Sequence, residues 1–156
     1  MPRLDRLSQM ARNNVLTFPA RVHDDTPFVR PGKPLAACRV AIVTTAGLHR
    51  RDDRAFGPGE QTYRVIAAET PAAEIVQSHT SLGFDRVAII RDLNITFPVD
   101  RLRELAARGA IGGLGPHNYS FMGALREAGR VEGETGPEVG RRLRADGVDV
   151  ALITPT

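Results

Sequence analysis

Unbroken apolar runs, punctuated by glycine and proline, set the outline of this chain. Val40 to Thr44 is one such run, the pattern of a strand covered on both faces. Thr45, Ala46 and Gly47 follow it as a small-residue turn at its carboxyl end. Thr62 to Ala67 and Arg86 to Arg91 read as two further strands. A closing run, Val148 to Ile153, reads as another buried strand, bounded upstream by Gly147. Two helices stand between them. In "VDRLRELAARG", Leu102, Leu105 and Ala106 share a face, Asp100 stands as the N-cap and Gly109 ends the helix. In "TGPEVGRRLRADG", Pro137 takes the first helical position, Gly147 follows the last turn, and Arg141, Arg142 and Arg144 face water.

Ahead of this core lies a different texture. "RLDRLSQMARNN" predicts a short helix with Leu4, Leu7 and Met10 on one stripe. Pro19, Pro27, Pro31 and Pro34 then hold an extended, ordered loop. The division is an arm over 1–36 and an α/β domain over 37–156. Strands alternating with helices across short connections predict a parallel-sheet α/β sandwich of the Rossmann or flavodoxin kind.

Composition narrows the function classes. The chain has 156 residues, 42% hydrophobic and 25% charged, enough for one ordinary core. No apolar run is long enough to span a membrane, and the first residues carry no secretory h-region. One cysteine, Cys38, excludes an internal disulfide and fits a cytoplasmic protein. It reads as a small buried hydrophobe. The net charge is +3, but the arginines are scattered among acids and aromatic residues are few, so no nucleic-acid partner is expected.

Candidate chemistry sits in loops after the core elements, where α/β folds bind ligands. His23, His49, His79 and His117 have spacings that match no metal site. His49, His79 and His117 each fall after or between core elements, and their convergence on one strand edge would mark a site. "RDLNITFPVDR" reads equally as a capped helix entry with an Asx turn or as a ligand loop in which Asp92 or Asn94 holds a polar group. "HNYSFMG" sets Asn118, Tyr119 and Ser120 beside Phe121 and Met122, which suits a small-molecule pocket or a buried, satisfied turn.

Taken in order, "RVAIVTTAGLH", "YRVIAAET", "SHTSLGFDR", "DLNITFPVDRLRELAARGAIGGL", "HNYSFMGA" and "LRADGVDVALITPT" resemble the selenoprotein B family. That family holds the substrate subunits of glycine, sarcosine, betaine and D-proline reductases, and the proline-reductase-like branch fits best. The likeness runs from Phe18 to Thr156. It implies reductive cleavage of a C–N bond in an amino acid or amine, driven by a selenolate or thiolate and renewed by an external thiol. It also implies an oligomer with a partner reductase subunit, which carries any pyruvoyl or similar carbonyl group. No other cofactor is expected. In the family the selenocysteine or cysteine directly follows the strand that here reads "VDVALITPT".

The expectation is therefore a chain that stops just before its nucleophile, as when UGA is read as stop. The fold would be incomplete at its carboxyl end, and the chain alone inactive and less stable than the full protein. No catalytic residue is then assigned within the chain. Substrate-pocket candidates are His49, His79, Asp92, Asn94, His117, Tyr119 and Ser120. The competing expectation is a non-catalytic small-molecule-binding or assembly domain complete at Thr156.

Overall fold

The run Val40 to Thr44 forms the centre of the protein because both of its faces find cover. The computed structural model of the chain describes residues 3–19, 24, 26, 29–81 and 86–155, so His23 and Thr156 lie outside it. The elements are α1 (Gln9–Leu16), β1 (Arg39–Thr44), β2 (Leu48–Arg50), β3 (Tyr63–Ala67), β4 (Ile75–Gln77), α2 (Arg86–Arg91), α3 (Val99–Ala107), β5 (Gly113–Leu114), β6 (His117–Phe121), α4 (Gly136–Ala145) and β7 (Val150–Thr154). Successive side chains of β1 point to opposite faces. Val40 and Ile42 enter a core with Phe97, Val99 and Leu102 of the α3 layer. Ala41 enters a second core with Tyr119 and with Val139 and Leu143 of α4. One helix on each face of the sheet makes an α/β sandwich.

β7 runs parallel along one edge of β1, from Val40↔Val150 to Thr44↔Thr154. β5 and β6 therefore share the opposite edge, both also parallel to β1. They form one strand line interrupted at Gly115 and Pro116. The interruption would leave the Ile42 N–H unpaired inside the sheet. Asn118 fills the gap, its side-chain oxygen accepting that N–H at 2.8 Å. β3 lies outside β6 and is antiparallel to it, so the sheet is mixed rather than wholly parallel. β2 and β4 pair antiparallel as a separate ribbon, joined to the sheet where Leu48 N–H donates to Ser120 Oγ at 2.8 Å.

Several expectations need correction. Arg86 to Arg91 is helix, not strand; a six-residue apolar run has no period that separates the two, and both edges of β1 are already taken. It buries Ile89 alone, while Ile90 is 82% exposed. β7 is not buried on both faces. It is an edge strand with Ile153 65% exposed, because its register with β1 sends Ala151 and Ile153 to a stretch of the α4 face left uncovered among the described residues. Asp100 is the second residue of α3 and not its N-cap; Asn94 Oδ1 accepts the Asp100 N–H at 3.1 Å instead. Pro137 is the second residue of α4, because a wider turn over Val131–Thr135 runs straight into that helix. Gly109 (φ 70°) and Gly147 (φ 68°) do close α3 and α4 as expected. Cys38 is buried as expected, its thiol 3.4 Å from the Pro34 carbonyl oxygen. α1 begins at Gln9, so Leu4 and Leu7 precede it and share no helical stripe with Met10, and it buries no residue.

The loop before β3 is held by Glu60. Its carboxylate accepts the Gly57 N–H at 2.9 Å, the Thr62 hydroxyl, and Arg64 Nη2 at 2.9 Å. Burial alone would raise its pKa, but these donors and the Arg64 charge win and hold it at about 2, below the ordinary 4.5. The folded pKa is depressed, so this stabilisation is complete above pH 4.5 and is lost as pH falls toward 2. Acid titration of Glu60→Gln should show a flatter loss of stability across that window. At neutral pH the variant should be less stable by roughly 1–2 kcal/mol, the linkage figure reduced for a site near solvent.

Candidate functional site

Parallel strands end together, so the carboxyl ends of β1, β6 and β7 meet at one edge of the sheet, where open α/β folds hold ligands. β1 turns away there through Thr45, Ala46 and Gly47. Gly47 has φ +64°, and an added Cβ would lie 3.1 Å from the His79 nitrogen. Only glycine lets the backbone take this conformation so close to a second chain segment. Gly47 N–H donates to the Phe121 carbonyl at 2.9 Å, and Ser78 N–H donates to the Gly47 carbonyl at 3.0 Å. Gln77 Nε2 reaches the Ala46 carbonyl at 2.9 Å.

Threonines tie the same edge to the entry of α3. Thr154 Oγ1 donates to the Thr96 carbonyl at 2.7 Å, and Thr44 Oγ1 lies 3.2 Å from the same oxygen. Thr45 N–H donates to the Thr154 carbonyl at 3.2 Å. Thus the last residues of β7 are fixed against both β1 and the loop carrying Asn94. Thr44, Thr96 and Thr154 were not singled out in the sequence. The paired threonines after Val43 were the only signal, and it is a weak one.

Beside this edge is a groove of about 680 Å³ between β4, α2 and the turn Leu93–Ile95. Asp92 and Asn94 line it, with Gln77, Arg51, Arg86 and Arg91. Gln77, bonded to Ala46, and Arg86, whose Nη2 donates to the His79 carbonyl at 2.7 Å, connect the groove to the strand ends. Asp92 caps its turn, accepting the Asn94 N–H at 2.9 Å and Asn94 Nδ2 at 3.0 Å. Asn94 Nδ2 also donates to Asp100 at 3.0 Å. That bond first, against desolvation, with Arg103 adding, holds the Asp100 carboxyl below its usual range. The loop is thus a helix entry with an Asx turn, and its polar side chains line a groove.

The other candidates divide. His79 is buried against Gly47, and its Nδ1 accepts the Ser81 N–H at 3.1 Å. Burial, then the nearby Arg86 charge, lowers its pKa, so the ring is neutral at neutral pH. His49 lies on β2, not in a loop; it is buried, edge-on to Phe56, with Nδ1 2.7 Å from the Arg50 carbonyl oxygen. Ser120 is fully buried and spends its oxygen on Leu48. Tyr119 is 1% exposed in the α4-side core; burial, then the Asp146 charge, raises its phenol pKa. His117 opens β6, about 13 Å of strand before Phe121, with Nδ1 2.9 Å from Asp146. Ser120, in register with Thr44, and His79, against Gly47, lie at the carboxyl edge, with Asp92 and Asn94 in the groove beside it, while His117 opens β6 at the far end. The three histidines do not converge.

Among the described residues no cluster of three His, Cys, Asp or Glu could hold a metal ion, and no helix is long and apolar enough to cross a membrane.

Comparison with known proteins adds a lineage to this geometry. Residues 6–156 match the model of the glycine/sarcosine/betaine reductase selenoprotein B family. The D-proline reductase subunit gamma of Acetoanaerobium sticklandii is 38% identical over 123 residues, 78% of this chain and 50% of that protein. The sarcosine reductase complex component B subunit beta of Peptoclostridium acidaminophilum is 29% identical over 143 residues, 89% of this chain and 33% of that protein. The glycine reductase complex component B subunit gamma of Carboxydothermus hydrogenoformans is 26% identical over 149 residues, covering 92% and 34%. The chain spans between a third and a half of the length of these relatives. No solved structure matches it.

Proposed function

This chain belongs to the glycine/sarcosine/betaine reductase selenoprotein B family, and we propose that it forms the substrate-binding part of a reductase subunit that cleaves a C–N bond. The observation that carries the reading is the position of the β7 end. Thr154 is bonded to Thr96 and Thr45 at the carboxyl edge, beside the groove lined by Asp92 and Asn94. A selenol or thiol borne by the segment after β7 would enter that edge. A nucleophile at a strand's carboxyl end gains from any helix that follows, since the helix's free N–H groups favour the anion.

In the reaction the C–N bond breaks and its electron pair leaves with nitrogen. Two electrons and two protons come from an external dithiol, which departs as its disulfide. Carbon gains one hydrogen and nitrogen the other. Asp92 is the residue for the substrate ammonium, an exposed carboxylate facing the groove. The His79 backbone borders the Gly47 turn, and its carbonyl accepts from Arg86. A partner subunit supplies any carbonyl group that a substrate requires. Support for partners comes from the relatives, each named as a subunit.

The test is an anaerobic assay of the full-length subunit with its partner subunits, a dithiol, and D-proline, sarcosine, glycine or betaine. One of these should be consumed with one disulfide formed per C–N bond broken. Binding of an amine with no turnover and no thiol requirement would favour a non-catalytic binding domain instead.

A further inference from the structure

The groove beside the strand ends has an uneven charge balance. Among the described residues its guanidinium groups are those of Arg51, Arg86 and Arg91, and its carboxylates those of Asp92 and Asp100. Asp100 is already paired, 2.7 Å from Arg103. Arg51 donates to the Ala73 carbonyl and Arg86 to that of His79, uses that leave their charge uncompensated. Arg91 ends α2 exposed to solvent, and its side chain makes no ion pair or hydrogen bond among the described residues. Over the described residues the groove thus has a surplus of positive charge, and the Arg91 guanidinium has its donors free. Its floor is apolar, with Leu48, Ile75, Ile89 and Leu93.

We propose that Arg91 is the specificity-determining residue of this groove and binds the carboxylate of a small zwitterionic amino acid, whose ammonium faces Asp92. The planar fork of a guanidinium matches a carboxylate with two parallel hydrogen bonds. Arg51 and Arg86 raise the local potential without competing for that contact. A dianion such as phosphate is disfavoured by Asp92 on the same wall. An amine without a carboxylate leaves Arg91 unmatched. The naming of the ligand as an amino acid rests on the reductase reading; the charge selectivity does not.

Ligand-observed saturation-transfer NMR of the full-length subunit, without reductant so that no turnover occurs, tests this. The probes are D-proline, D-prolinamide and inorganic phosphate. D-proline should bind about tenfold tighter than D-prolinamide, the scale of one charge-assisted contact in an open groove. Arg91→Gln should erase that preference by weakening D-proline alone, and Arg91→Lys should restore part of it. Arg141→Gln, on the exposed side of α4, should change nothing. Equal binding of acid and amide, equal loss of both in Arg91→Gln, or phosphate competing as well as D-proline overturns the proposal. The two readings fail separately. Selective binding without cleavage sinks only the reductase reading, and cleavage with unselective binding sinks only this one.

Discussion

Tyr119→Ala should destabilise the protein by about 4 kcal/mol, the usual cost of deleting a buried aromatic ring. The ring is 1% exposed and sits edge-on to Tyr63, with centroids 5.8 Å apart, inside the core shared by Ala41, Val139 and Leu143. Its loss opens a cavity between the sheet and α4 that neighbours on a strand cannot collapse to fill. For a chain of this size the thermal midpoint should fall by roughly 8–16 °C. Tyr119→Phe keeps the ring and should cost about 1 kcal/mol. Calorimetry of the pair separates packing from the hydroxyl. A small effect of the alanine variant, with a large effect of the phenylalanine variant on substrate binding, would make Tyr119 a pocket residue after all.

Gly47→Val should cost about 3 kcal/mol and disturb the site as well as the fold. Two effects combine. The residue has φ +64°, a region that costs an L side chain about 1–2 kcal/mol and a β-branched one more. The new side chain would also press on the His79 backbone, 3.1–3.2 Å from its Cβ, and overpacking adds roughly 1–3 kcal/mol. Gly59 is the control, with φ +66° and nothing within 4 Å of a built Cβ. Gly59→Ala should show the conformational cost alone, about 1 kcal/mol. Equal midpoints for the two variants would mean that His79 yields freely and that the turn at the end of β1 is not a tight contact.

Much of this fold can be read along the chain, and the reasons for the failures are physical. β1, β3, α3 and α4 were legible because each carries a continuous or periodic apolar pattern, and a glycine closes each of the two helices. α2 was not, because six residues cannot distinguish two periods. Nor was the exposure of β7, since coverage of a strand depends on what packs over it and not on its own residues. The break between β5 and β6 is visible as Gly115 and Pro116, but its repair by Asn118 is a contact over 76 positions, beyond any local pattern. The site divides the same way. Asp92 and Asn94 announce themselves through turn chemistry. Asn118, Tyr119 and Ser120 read equally as a pocket motif or a buried, satisfied turn, because alternate residues of a strand face both a core and a ladder neighbour. Arg91 looked like one scattered arginine among many, and only the groove distinguishes it.

The proposed function requires a selenol or thiol at the carboxyl edge. Its most direct test is alkylation of the reduced full-length subunit with iodoacetamide, followed by mass-spectrometric mapping and assay. The label should fall on a selenocysteine or cysteine other than Cys38, be slowed by substrate, and abolish C–N cleavage. Label confined to Cys38, or a fully alkylated subunit that still cleaves its substrate, would contradict it.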